Sequence, residues 1–553
     1  MKKFLLLVAA ATLALSATAA TPKTGLQLKT VQESVQKIKA ENALNGKLTA
    51  TLKSEKGQAI ASGALRVKSA VTPEGTPVPY VFSDYYTSAA SVKVSTSEDG
   101  SKVFFSNMFP YVYDDEEAWV QGNVSTDGTS VTIPLDVVVA ELATEDGVYP
   151  LIPVEMLVDE EGNITGVTEL VFVKDGDKYY IDDDPDDPKH YIGLCAFDAD
   201  GSFVGYYDYS FLIAYEPYTG PTDVVELPEG AVPADFIYMY YVAGLFGATQ
   251  MIETGQVYID GNDVYMNLLT CGYQAWVKGT IEGNTATFPG GQYVDCGAFL
   301  TFQPICTDGT TDEEGYLIPV NCDYVMTYNP ETNTFVEKAG DGLDYYTALK
   351  TQNDELYTYA YGYIVGLPVE GPAVPADPTD LSLAYNDYYG QYMFYYTLNP
   401  VDVNGSFLNL DNLAYYIYLD DEIYTLTPDV FSSLTEEITL IPYGFTENWD
   451  VYDGLIYVAE SLLTSMGVQA VYTIDGVTNY SNVACVDLDG NQYTLPAPQL
   501  NPDGISNVNV KNVTSVEFYD AEGRKLDAAQ KGVNVVKMVA ADGSVKTVKM
   551  FKK

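Results

Sequence analysis

The sequence predicts an all-β protein: tandem β-sandwich-like modules, a short helix near the N-terminus and a small C-terminal β-domain. Three observations carry that expectation. Turn residues recur at short intervals among Thr, Val and Tyr, with no sustained 3.6-residue periodicity. Short apolar–polar alternations are broken by Asp-Gly or Gly-Asn, the pattern of hairpins. Two long segments also read alike.

The first twenty residues precede all of this and read as a cleavable export signal. Lys2 and Lys3 come before an apolar run from Phe4 to Leu15, followed by the small residues Ser16 to Ala20. The run is too short to cross a bilayer as a helix, and no later stretch reaches the roughly twenty apolar residues that spanning requires. No Cys follows the expected cut near Ala19 or Ala20, so a lipid anchor at that point lacks its attachment residue. Residues 21–70 form an N-terminal segment, and 26–44 (LQLKTVQESVQKIKAENAL) is the one good helix candidate.

The repeat supplies an internal comparison. One copy contains Ala118-Trp119-Val120-Gln121-Gly122 and runs on to Pro134; the other contains Ala275-Trp276-Val277-Lys278-Gly279 and runs on to Pro289. Each follows an Asp-Gly turn, EDGSKVFF in one and VYIDGNDVYM in the other. The stretches Ala231-Val232-Pro233-Ala234-Asp235 and Ala373-Val374-Pro375-Ala376-Asp377 echo each other as boundaries. The tryptophans lie 157 residues apart and the boundaries 142 apart, spacings that fit tandem domains and not a solenoid. The modules are placed at 71–225 and 226–370, with Trp119 and Trp276, being shared, assigned to the core.

Residues 373–500 differ. They end in Gly467 to Tyr472, an Asp475-Gly476 turn, and Asn479-Tyr480-Ser481-Asn482-Val483, which resembles the close of a fibronectin type III-like sandwich. The tail, 501–553, contains Val516-Glu517-Phe518-Tyr519-Asp520, the turn Glu522-Gly523-Arg524-Lys525, the run Lys531-Gly532-Val533-Asn534-Val535-Val536, and a basic end of Lys546, Lys549, Lys552 and Lys553. That pattern resembles the C-terminal sorting domain of type IX secretion, and the modules resemble those of uncharacterised secreted bacterial proteins. The resemblance implies export machinery as a partner of 501–553, passage across an outer membrane and removal of the tail. A plain terminal β-domain is the alternative.

Charge narrows the partners. The net charge is -49. Residues 1–68 hold eleven Lys/Arg against three Glu, and 503–553 hold nine against six acidic residues, leaving eight basic and 68 acidic residues in 69–502. From Thr351 to Val510 there is no Lys, Arg or His. Such a body lacks the cationic footprint that nucleic acid requires and repels anionic lipid. It attracts cations, above all Ca²⁺, whose ligands are carboxylate and carbonyl oxygens. No cofactor is required by any motif.

Candidate sites follow from residue type and spacing. The run Asp182, Asp183, Asp184, Asp186 and Asp187 crowds carboxylates that a Ca²⁺ ion would relieve, or is a solvated acidic loop. Asp198 to Ser202 and Asp487 to Asn491 fit β-turns better than calcium loops. Tyr357, Tyr359, Tyr361 and Tyr363 recur at period two, so a strand would place all four on one face, either to stack on a ligand or to pack the fold. The single histidine, His190, reads as a solvated loop residue and leaves little scope for His-based catalysis. Six cysteines permit fifteen full pairings; proximity favours Cys271–Cys296 and Cys306–Cys322, with free thiols as the alternative.

The expected function is a non-enzymatic extracellular or cell-surface protein that binds a ligand, a glycan or a partner protein. A secreted hydrolase using paired carboxylates and a purely structural surface component are the alternatives.

Overall fold

The computed structural model of the 553-residue chain describes Leu28, 58–59, 64–67 and most of 71–552. Within 71–552 the described residues omit 86, 110–117, 145–146, 160–163, 185–188, 245–246, 387–389, 421, 432–433, 447–450, 453, 460–462, 498, 501–505, 508–512, 521–523, 527–531 and 541–544. The export signal therefore lies outside the described residues, and so does the expected helix over 26–44 apart from Leu28. The described chain is all-β, with a single three-residue turn of 3₁₀ helix at Leu410–Asn412. It divides into two compact units, the first running essentially from Ala19 to Val365 and the second from Gly366 to Lys553.

In the first unit each repeat curls one sheet into a closed ring of eight strands. The first ring pairs Val78–Ser83, Ala90–Thr96, Lys102–Ser106, Trp119–Val124, Ser130–Ile133, Leu170–Asp175, Lys178–Tyr180 and Ala214–Pro217 in that order, and the last returns to the first. The second pairs Ala234–Gly244, Gly247–Asp260, Asp263–Met266, Val277–Glu282, Thr285–Phe288, Tyr324–Asn329, Thr334–Glu337 and Leu356–Gly366, and the last again meets the first. Closure leaves no sheet edge in either ring. Each interior is packed with the inward residues of alternating strands, among them Phe82, Phe105, Phe172 and Tyr215 in the first and Tyr238, Met266, Phe288 and Tyr324 in the second.

The two repeats agree in register as well as in order. Val103 faces Gly122 in the first and Val264 faces Gly279 in the second. The next ladder pairs Asn123 with Thr132 and Thr280 with Thr287. Both glycines are required by close approach: a Cβ on Gly122 would come within 2.4 Å of Val131 Cγ1, and one on Gly279 within 2.6 Å of Thr287 O and Phe288 Cδ1. A bulge also recurs, between Leu194 and Cys195 in one copy and between Leu349 and Lys350 in the other. Five residues beyond the extra residue of the bulge, Tyr207 in one copy and Tyr357 in the other, comes a positive φ, at Leu212 (58°) and at Gly362 (71°). Trp119 is buried, whereas Trp276 is half-buried.

The repeats are joined to each other. Ala90 bridges Ala298, Val224 bridges Tyr293, and Tyr218 stacks on Phe299 at 4.0 Å with a 12° interplanar angle. These contacts bury Val81, Tyr218, Tyr293 and Phe299 as one cluster.

In the second unit two sheets share a core that includes Phe394, Ile417, Ile456 and Val468. One contains Thr379–Asn386, Gln391–Thr397, Leu455–Val458 and Val451–Tyr452; the other runs from Glu422–Ile423 through Leu413–Leu419, Ser465–Ile474 and Val483–Asp487 to Gln492–Leu495. Thr379–Asn386 and Gln492–Leu495 are terminal strands of their sheets. The tail pairs Lys525–Leu526, Val513–Asp520, Gly532–Ala540 and Val545–Lys552 into a four-stranded sheet, with Glu517 ion-paired to Lys525.

Candidate functional site

Much of the acidic character serves the backbone. In the four turns beginning at Asp198, Asp312, Asp402 and Asp487, the Asp Oδ1 accepts from the backbone N–H groups two and four residues on, at 2.8–3.0 Å. A glycine at the fourth place takes φ between 77° and 91°, which a residue with a Cβ rarely adopts. The Asp run beside His190 does similar work. Asp183 Oδ1 accepts from Asp184 N and Lys189 N, and its Oδ2 accepts from Lys189 N and His190 N, at 2.9–3.0 Å. Asp182 and Asp184 are exposed, and Asp186 and Asp187 lie outside the described residues. Among the described residues no three Asp, Glu, His or Cys side chains converge as metal ligands. His190 is engaged: its Nδ1 lies 2.6 Å from Glu155 Oε1.

The tyrosine series does not share one face. Leu349 pairs with Thr358 and Lys350 with Leu356, so Tyr357 is the extra residue of the bulge. At the other end the left-handed turn of Gly362 changes the side on which Tyr363 lies. Tyr359 and Tyr361 therefore pack against Tyr346 on the outside of the ring, edge to face at 5.6 and 5.7 Å. Tyr363 enters the ring and stacks on Tyr240 at 4.6 Å. Tyr359, Tyr361 and Tyr363 are all buried, and Tyr357 is half-buried.

Tyr363 belongs to a polar group inside the second ring that the sequence reading missed. Glu337 Oε2 accepts from Tyr324 Oη at 2.6 Å and from Gly362 N at 2.8 Å. Thr347 Oγ1 lies 3.4 Å from Tyr363 Oη and 3.7 Å from Cys271 Sγ, and Tyr363 Oη donates to Leu268 O. Part of Glu337 reaches solvent, but its carboxylate is packed under these groups. Burial pushes it up to about 8, against the hydrogen bonds from Tyr324 and the backbone, which favour the ionised form. The same burial raises Cys271 to about 12 and holds Tyr324 and Tyr363 well above the usual phenol range. The register equivalence shows what is special here. Where the second repeat has Tyr324, Glu337, Thr347 and Tyr363, the first has Leu170, Ile181, Ile192 and Ile213, all buried. Comparing the copies in sequence could have found these positions, given the register.

The six cysteines carry free thiols in this structure. Cys306 and Cys322 are brought together: Cys322 N donates to Pro304 O, and burial with the adjacent Cys306 thiol raises the Cys322 thiol far above its ordinary value. Cys271 Sγ is placed against Thr347, and Cys296 Sγ reaches Ala298 O at 3.9 Å.

An open groove lies in the second unit, where the terminal strands of its two sheets approach each other. Thr379, Asp380 and Leu381 line one side; Gln492, Tyr493 and Thr494 line the other. Gln492 Nε2 spans the gap to Leu381 O at 2.8 Å, and Tyr493 is 38% exposed. Asp380 holds φ at 54°, and its Oδ2 accepts from Thr379 Oγ1. A ring beside carboxylate, amide and hydroxyl groups can stack on a ligand while hydrogen-bonding to its polar edge. No family model matches this chain, and no curated protein does.

Proposed function

We propose that the chain is a non-enzymatic, secreted or cell-surface binding protein whose ligand, a glycan or other polyhydroxylated chain, lies in the groove of the second unit. The observation that carries the reading is that groove: an exposed Tyr493 is set among Gln492, Thr494, Thr379 and Asp380 on the facing edges of two sheets. The N-terminal signal and the 501–553 tail supply export in this reading, and mass spectrometry of the released protein tests whether the tail is removed. Calcium is proposed only as an accessory ion of residues 182–187, tested by elemental analysis and by melting with EDTA.

A glycan array run beside matched hydrolysis assays tests the function. Retention without cleavage, lost in Tyr493→Ala, supports it. The competing reading is a carboxylate hydrolase, and one feature favours that: burial shifts the Glu337 carboxyl upward, in the direction that a general acid needs. Reducing-end release that disappears in Glu337→Gln would establish the hydrolase and overturn the binding reading. A protein that coats cells with neither signal would be a structural surface component.

A further inference from the structure

Both repeats carry aromatic residues at the same three positions on the outer face of the two strands that share the bulge. In the first they are Tyr191, Tyr209 and Phe211, with Tyr191 6.4 Å from Tyr209 and 5.9 Å from Phe211. In the second they are Tyr346, Tyr359 and Tyr361, at 5.6 and 5.7 Å. The surroundings differ. Tyr191 and Tyr209 are half-buried, whereas Tyr346, Tyr359 and Tyr361 are 1–5% exposed. Among the residues that cover the second set is Leu28, which is fully buried there with Ile305 and Leu317.

Leu28 comes from the N-terminal segment, more than two hundred residues away in sequence. The same segment is anchored at two further described points, both on the first repeat. Gln58–Ala59 adds a parallel strand beside Gly205 and Tyr206, and Ala64–Val67 pairs with Ala140–Thr144. Its charge is opposite to that of the body it is joined to: residues 1–68 hold eleven Lys/Arg against three Glu, and residues 69–502 eight basic against 68 acidic. Tyr346 Oη adds a polar requirement, since it is buried with no hydrogen-bond partner among the described residues. Any residue beside Leu28 brings a main-chain donor and acceptor as well as a side chain.

We infer that the Tyr346–Tyr359–Tyr361 group is a docking socket for a leucine carried by a basic segment, and that the N-terminal segment fills it in cis through Leu28. The segment thereby straps the second repeat to the first. This docking surface is separate from the groove proposed for the ligand, so the two readings stand or fall independently.

Leu28→Asp in the full chain is the test, read by hydrogen exchange and by binding of a synthetic peptide spanning residues 21–37. The substitution is expected to speed exchange in Asp344–Lys350 and Leu356–Gly366 at least tenfold, while Tyr191–Phe197 on the first repeat stays slow. The peptide is expected to bind the variant, restore the protection and bind less tightly as salt rises; the wild-type chain, already filled, should not take it up. Unchanged exchange in the variant overturns the inference, and so does a peptide that binds equally well with its Leu28 replaced by Asp. Should Leu28→Asp fail to fold, Leu28→Ala gives the same comparison, and Tyr361→Ala removes the socket from the other side.

Discussion

Glu337 in the second repeat holds the position that Ile181 holds in the first, each one residue past a matched pair, Val336 with Thr327 and Tyr180 with Val173. One ring thus holds a carboxyl group where its counterpart holds an aliphatic side chain, within the same strand order and register. Burial raises the Glu337 carboxyl to about 8 from an ordinary 4.5, so the folded chain keeps a proton that the unfolded chain gives up. Between those two values the folded state binds more protons, and its stability falls as pH rises. The wild-type chain should lose on the order of a few kcal/mol between pH 5 and pH 8 from this one group. Glu337→Gln, which cannot ionise, should flatten that slope; denaturant melts across the range check it.

The polar pair can also be exchanged as a unit. Tyr324→Leu alone leaves a buried carboxyl group without its hydroxyl donor, and Glu337→Ile alone leaves a buried hydroxyl without its acceptor. Each is expected to cost about 1–3 kcal/mol. Together they recreate Leu170 and Ile181 of the first repeat. The double variant should cost clearly less than the sum, with a residue of about 1 kcal/mol because Gly362 N also loses its acceptor. A double-mutant cycle in urea measures the difference, and strict additivity would mean that the two groups do not act as a pair.

How far the fold could be read in advance depended on the range of the interactions. The Trp-Val-x-Gly repeat and the Asp-Gly turns are local, and they led directly to the matched hairpins Ala90–Thr96 with Lys102–Ser106 and Gly247–Asp260 with Asp263–Met266. Ring closure depends on Leu356–Gly366 meeting Ala234–Gly244 across more than a hundred residues, and no local pattern marks it. The period-two tyrosines assumed an unbroken strand, and a bulge at Tyr357 and a left-handed Gly362 broke it on either side. Glu337 reads in sequence as an exposed polar residue next to Lys338; only the pairing of its strand turns it inward. The groove joins residues 379–381 to 492–494, which meet only because two sheets pack together.

The paired glycines give a packing test with unequal outcomes. At Gly279 a Cβ meets a backbone oxygen and a ring, neither of which can move far; at Gly122 the nearest atom is the Val131 side chain, which has other rotamers. Gly279→Ala should therefore cost about 2–3 kcal/mol and Gly122→Ala less. Gly166→Ala, whose nearest neighbour is Leu157 Cδ1 at 3.8 Å, is the control and should stay within about 0.5 kcal/mol. Equal losses at Gly122 and Gly279 would show that the strands separate freely at both sites.

Proteolysis follows from where the cations are. No Lys or Arg occurs between Thr351 and Val510, so trypsin can enter this region only at its ends. Lys350 is a poor entry point: it is 8% exposed, lies within a strand, and its Nζ bonds to Asn321 Oδ1 at 2.7 Å and Asp354 Oδ1 at 2.9 Å. Lys338 sits just beyond Thr334–Glu337, with its side chain 40% exposed and paired to Asp341. Native digestion should therefore cut after Lys338 before Lys350, leaving a long acidic fragment that begins at Ala339 and reaches Lys511. Asn321→Ala removes one of the two bonds to Lys350 and should bring cleavage there forward. Mass spectrometry of the early fragments decides the order; a first cut after Lys350 in the wild-type chain would show that the Asp344–Lys350 strand opens more readily than its burial implies.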